Sequence, residues 1–128
     1  MNILGIGTDI CNSKRIQSLL KKNNKFKNKI FTIKEINKSK RIKKKHLFFA
    51  KRFAAKEAFS KALGIGISRG IQFKDIEVIN NNYGKPKIKL LGQTAKITSK
   101  ILKRKKFGIH LSLSDDFPFA IATVILTK

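Results

Sequence analysis

Apolar and polar positions alternate in distinct rhythms along the chain, and each rhythm predicts an element. Residues 3–10 (Ile3-Leu4-Gly5-Ile6-Gly7-Thr8-Asp9-Ile10) form an apolar run bounded by Asn12-Ser13, the pattern of a buried strand. Ser13 is predicted to cap a helix reaching Lys22, with Ile16, Leu19 and Leu20 on one face and Asn23-Asn24 as its end. A lysine-rich connector follows. Thr32-Ile33-Lys34-Glu35 then has the form of a capping box opening a second short helix. The longest helix is predicted from Lys43 to Leu63, with Phe49, Phe53, Leu63 and the intervening alanines as apolar contacts and Gly64 as its stop.

Beyond a glycine-punctuated loop at 65–70, Phe73 to Ile79 reads as a strand, Asn80 to Lys85 as a turn, and Pro86 to Leu91 as the return. Residues 93–105 carry helical spacing through Ala95, Ile97, Ile101 and Leu102. Ile109, Leu111 and Leu113 then alternate with His110, Ser112 and Ser114. A turn at Asp115–Pro118 leads into Phe119–Leu126, apolar on both faces as a central strand is. No repeat or linker interrupts the series. Strand, helices, hairpin, helix, hairpin predicts one α+β domain over residues 1–128.

Length and composition agree with that reading. A chain of 128 residues can bury roughly two-thirds of its unfolded surface, and 41% hydrophobic residues exclude a disordered basic tail. The single cysteine, Cys11, excludes an intramolecular disulfide and fits a reducing cytoplasm. The first apolar run is short, lacks a basic leader and contains Gly5, Gly7 and Asp9, so it fits neither a signal peptide nor a membrane span.

Charge changes the picture more. Thirty basic residues face seven acidic ones, a net charge of +23. The first inference from such a balance is nucleic acid. Yet 25 of the basic residues are lysine and 5 arginine, whereas base-edge reading favours the arginine fork. One tyrosine and no tryptophan leave few stacking platforms for single strands. An acidic protein partner, and no specific nucleic acid or membrane, is the expectation that remains.

With carboxylates so scarce, those within apolar or small-residue stretches are the candidates for chemistry. Glu57 lies in Arg52-Phe53-Ala54-Ala55-Lys56-Glu57-Ala58-Phe59-Ser60-Lys61-Ala62-Leu63-Gly64, with Lys61 four residues on and on the same helix face. An arbitrary pair of this kind is a surface ion pair worth a few tenths of a kcal/mol. Among phenylalanines and alanines, however, a carboxylate suits a hard cation and the lysine suits phosphate oxygens. Asp9, at the end of the first strand, could complete a magnesium site with Glu57, since magnesium takes one or two protein carboxylates and fills its shell with water and phosphate. His110 shares its polar face with Ser112 and Ser114; a lone histidine is more often structural. Asn82-Tyr83-Gly84-Lys85-Pro86 is most simply a hairpin turn, though its glycine and lysine could equally contact a nucleotide phosphate. No GxxxxGK[ST] loop, GxGxxG or zinc-ligand cluster occurs.

Four motifs in order resemble the holo-[acyl-carrier-protein] synthases, the short bacterial 4′-phosphopantetheinyl transferases. They are Gly5-Ile6-Gly7-Thr8-Asp9-Ile10; Arg52 to Ala58 with Lys61-Ala62-Leu63-Gly64-Ile65-Gly66; Gly84-Lys85-Pro86; and His110-Leu111-Ser112-Leu113-Ser114 before an apolar strand. They span essentially the whole chain. The resemblance implies a small antiparallel sheet packed against a long helix, and transfer of phosphopantetheine from coenzyme A to a serine of an acidic acyl carrier protein for fatty acid biosynthesis.

It further implies Asp9 and Glu57 as magnesium ligands, Lys61 against the pyrophosphate and His110 near the reacting phosphate. Arg52, Gly64, Asn82, Gly84, Lys85 and Pro86 would cradle coenzyme A. Lys14, Arg15, Lys21 and Lys22 would receive the carrier protein, and a homotrimer would place active sites at subunit boundaries. The base that takes the serine proton stays open between His110, a metal-bound water and a carboxylate. At Cys11-Asn12-Ser13 the chain departs from the family, which commonly has an acidic residue just after the Asp-Ile pair. Asp9 is intact there, and no salt bridge carries over to that spot.

Overall fold

The computed structural model describes residues 2–128. Its elements run β1 (Ile3–Asn12), α1 (Ser13–Lys22), α2 (Asn24–Ile30), α3 (Ile33–Ser39), α4 (Lys45–Ala62), β2 (Ile76–Asn80), β3 (Pro86–Leu90), α5 (Gly92–Leu102), β4 (Gly108–Asp116) and β5 (Phe119–Thr127). All strand pairing is antiparallel, in a three-stranded sheet of order β1-β5-β4 and a β2-β3 hairpin. One face of the larger sheet packs on α4, so the α+β expectation holds.

α4 is buried around most of its circumference, including Phe49, Phe53, Ala54, Ala55, Ala58 and Phe59. A helix apolar on most sides belongs at the centre of a domain rather than on its surface. It lies almost backbone to backbone against β1. A Cβ built on Gly5 would fall on the Ala62 carbonyl oxygen; one on Gly7 would fall on the Ala58 carbonyl oxygen and come within 2.6 Å of Ala62 N. The Gly-x-Gly spacing thus puts two missing side chains on one strand face, and alanines opposite them complete the close approach. Asp9 follows on that same face, one step past Gly7. The strand–helix crossing therefore delivers it to the last turns of α4.

Four local expectations are corrected. Asn12, not Ser13, caps α1: its side chain accepts from Lys14 N at 2.9 Å, while Ser13 is the buried first residue of the helix. The lysine-rich connector is a helix, α2, capped by Asn23. Its Phe26 and Ile30 stand four apart on the inner face, and Phe26 packs on Phe31 and Phe53. Residues 73–75 form a single 3-10 turn rather than the start of a strand, because β2 pairs with β3 only from Ile76. α5 ends at Leu102, where Lys103 turns left-handed at φ 55°, and does not reach Lys105.

The capping box at Thr32 and Glu35 forms as expected, with Thr32 N donating to Glu35 Oε1 at 2.9 Å. Glu35 does more than cap. The same oxygen accepts from Lys56 Nζ at 2.8 Å, and Oε2 accepts from Val78 N at 3.0 Å. Lys56 also donates to the carbonyls of Phe73 and Ile76. Both side chains are completely buried, and desolvation pulls the Lys56 ammonium below its usual range against the attraction of Glu35. This ion pair ties α3, α4 and β2 together.

Candidate active site

Two groups of polar side chains stand out, one at β1 and the other beside β4, the two edge strands of the three-stranded sheet. The first is at the β1–α4 crossing. Lys61 Nζ donates to Asp9 Oδ1 at 3.0 Å and to the Thr8 carbonyl at 3.1 Å. Lys61 thus pairs with Asp9 rather than with its own helix neighbour Glu57. Glu57 takes no side-chain hydrogen bond or ion pair among the described residues. Its carboxyl is pushed above the usual carboxylate range by desolvation first and by the Asp9 charge second, with Lys61 and then Arg15 opposing the rise. Cys11 is next on the same strand face; burial pushes its thiol up to about 11, which keeps it protonated and inert.

That arrangement suits a hard divalent cation. Two carboxylates sit close enough to repel, one makes no side-chain hydrogen bond or ion pair among the described residues, and both are partly buried, conditions that a shared cation relieves. Among the described residues no group of three or more His, Cys, Asp or Glu could hold a metal. A hard cation held by the pair alone would therefore have most of its coordination shell left for water and phosphate oxygens.

The second group surrounds the β2–β3 turn. Lys85 and Pro86, with Leu111 and Ser112 of β4, line two adjoining clefts of about 460 and 360 Å³. Arg52, Asn80 and Gly84 line the larger; His110, Asn81 and Thr123 line the smaller. Arg52 is only 4% exposed, stacks its guanidinium 3.8 Å from the Phe48 ring centroid and donates to Asn80 Oδ1 at 3.0 Å. Burial lowers its pKa to about 10, which leaves it charged at neutral pH. Asn80 in turn donates to the Gly84 carbonyl, and Asn81 Oδ1 accepts from Tyr83 N and Lys85 N. Asn82 is exposed and makes none of these bonds. The sequence drew attention to Asn82, while Asn80 and Asn81 build the turn. Gly84 takes φ +83° there, a conformation that side chains disfavour. Gly64, just past α4, likewise takes φ +82° and lies in neither cleft.

Strand register separates His110 from the carboxylates. Gly7, Val124 and Leu111 align across the sheet on the α4 face, and Asp9, Ala122 and Leu113 align beside them. His110 aligns with Ile125 and Ile6 on the other face, its Nε2 3.0 Å from Thr127 Oγ1. A single chain therefore does not bring His110 to Asp9 and Glu57. On the His110 face, Ile6 and Ile10 are each 61% exposed, with Ile121 and Phe119 also exposed. Lys14, Arg15, Lys21 and Lys22 all point outward from α1, with Arg15 close enough to act on Glu57.

A model of the 4′-phosphopantetheinyl transferase superfamily matches residues 5–122, from Gly5 through Ala122. The chain belongs to this superfamily. Among members, the holo-[acyl-carrier-protein] synthase of Pelagibacter ubique is 46% identical over 128 residues, covering 100% of this chain and 99% of its own. A crystal structure of the Bacillus anthracis synthase in complex with CoA (3′,5′-ADP) superposes with a TM-score of 0.81 at 39% identity, covering 98% of this chain and 97% of that one. The Neisseria meningitidis synthase superposes at 0.86 with 36% identity, covering 99% and 100%.

Proposed function

We propose that this transferase moves 4′-phosphopantetheine from coenzyme A to a serine of an apo acyl carrier protein, in the service of fatty acid biosynthesis in the cytoplasm. The observation that carries the reading is the convergence of Asp9, Glu57 and Lys61 at the β1–α4 crossing, within a fold and sequence matched end to end by synthases of that name. Asp9 and Glu57 would hold magnesium, which when bound offsets charge on the diphosphate. Lys61 would bring a second positive centre to the same oxygens. As the carrier serine gives up its proton to solvent, its Oγ forms a bond to the β-phosphorus, the bond from that phosphorus to the oxygen bridging to the α-phosphate breaks, and 3′,5′-ADP leaves with the electron pair. The protein's contribution is to align these atoms and to neutralise charge.

The cleft around Lys85, Pro86, Gly84 and Arg52 is the proposed cradle for the nucleotide. Arg52, stacked and hydrogen-bonded, would act mainly by holding Asn80 and the turn in place. Because this cleft borders β4 while the carboxylates stand at β1, on opposite edges of one sheet, we assign a complete site to two chains of a homotrimer. The exposed Ile6, Ile10 and Ile121 support such an assembly, being a contiguous apolar surface on the face that α4 leaves uncovered. The outward lysines and arginine of α1 would meet the acidic carrier and speed its encounter.

Transfer of label from coenzyme A to an apo carrier protein tests the activity; a carrier left unlabelled by the intact chain with magnesium would refute it. In the same assay, Lys21→Glu with Lys22→Glu is expected to raise the KM for the carrier, flatten its salt dependence and leave the KM for coenzyme A unchanged. An unaltered carrier KM would remove α1 from the docking face.

A further inference from the structure

We propose that Lys61 is a built-in counter-ion of the carboxylate pair, which a divalent cation must displace and which the diphosphate of coenzyme A then accepts. The proposal rests on the reading of Asp9 and Glu57 as cation ligands and adds a binding order and a coupling to it.

Its basis is the unequal placement of the three groups. Asp9 is fixed on β1, its side chain 16% exposed and facing α4. Lys61 stands in the last turn of α4 with its side chain 51% exposed, on a long flexible stem. Its ammonium reaches back to Asp9 Oδ1 at 3.0 Å and the Thr8 carbonyl at 3.1 Å, which occupies two of its three donors. An ammonium at bonding distance from a carboxylate opposes a dication at that carboxylate, both by charge and by taking up the oxygen. Glu57, with no such partner, is the open half of the pair, so a cation arriving at Glu57 meets Lys61 as its competitor for Asp9.

Lys61 is also the group that can move. Its side chain is about three times as exposed as that of Asp9, so displacement swings the ammonium outward rather than the aspartate inward. Released there, it needs a new acceptor, and a diphosphate bound over the cation supplies one. Cation and nucleotide then favour each other's binding, and by linkage the coupling is equal in both directions. A lysine that only bound phosphate, held clear of Asp9, would oppose the cation weakly in the absence of nucleotide. One that held Asp9 in place for the cation would help it. A displaced counter-ion hinders it strongly, and this sign and size set the proposal apart.

The test is calorimetric titration of magnesium into the intact protein at pH 8, with and without saturating coenzyme A and with no carrier present. Without coenzyme A, Lys61→Met is expected to bind magnesium on the order of tenfold more tightly than the parent chain. The factor by which coenzyme A tightens magnesium should be smaller in Lys61→Met than in the parent. Equal or weaker magnesium binding by Lys61→Met, with Asp9→Asn and Glu57→Gln both losing it, would overturn the counter-ion proposal and leave the carboxylate pair standing. Undiminished binding by Asp9→Asn and Glu57→Gln would overturn the ligand pair and this proposal with it.

Discussion

Glu57→Gln is expected to lower phosphopantetheine transfer by on the order of 100-fold or more and, with a chelator present, to raise the Tm. The two effects have one cause. Glu57 is held half-buried beside Asp9, so its carboxyl has a higher pKa folded than unfolded. A raised acid pKa means that the folded chain binds the proton more tightly, so the charged group weighs against folding at neutral pH. The penalty is relieved as pH falls through the folded pKa. Glutamine has the same shape without the charge. The variant should therefore be more stable than the parent at neutral pH, and the difference should close on acidification as Glu57 itself takes up a proton. With magnesium the order should reverse, because only the parent gains stability from the cation. Thermal melts over pH 4–8, with chelator and with magnesium, read both signs. Retained turnover at saturating magnesium would remove Glu57 from the site.

Lys56→Met is the second large effect, and it acts on the fold. Removing one partner of a buried ion pair leaves the other charged and unpaired, at a cost of about 3–5 kcal/mol. Here the remaining charge would be Glu35, which still has the Thr32 and Val78 amides but loses its cation. The Phe73 and Ile76 carbonyls lose their donor as well. Replacing both members, Lys56→Met with Glu35→Gln, should recover part of the loss, since the neutral amide keeps an acceptor for the backbone amides around it without leaving a buried charge. Denaturant unfolding of the single and double variants measures this. Equal stability of Lys56→Met and the parent would show the pair to be energetically idle. Because the pair anchors β2 beside Arg52 and Asn80, the single variant should also loosen coenzyme A binding before it unfolds.

What could be seen in the sequence followed from local rules. The Gly-x-Gly run, the helical Arg52–Gly64 segment and the alternation at β4 each report on neighbours within a few residues, and each formed as expected. The capping glutamate was legible for the same reason. Its bond to Lys56, 21 residues away, was not, because nothing in the spacing marks Lys56 as buried among so many solvated lysines. α2 was hidden by that same lysine excess, which left only Phe26 and Ile30 to signal a helix. In Asn80-Asn81-Asn82, three identical side chains carry no local cue to which of them faces the turn. The pairing of Lys61 with Asp9 depends on the strand–helix crossing, and the separation of His110 from the carboxylates depends on register. Alternation shows that His110 opposes Leu111; only the paired strands show that it also opposes Asp9.

That separation leads to the most direct test. Glu57→Gln disables the carboxylate face, and Lys85→Glu with His110→Ala disables the cleft face. Each variant alone should be nearly inactive in the label-transfer assay. When the two are unfolded and refolded together, with co-assembly checked by a tag on one of them, transfer should return, because some sites will pair an intact carboxylate face with an intact cleft. Co-assembled mixtures no more active than their components would contradict a site shared between chains.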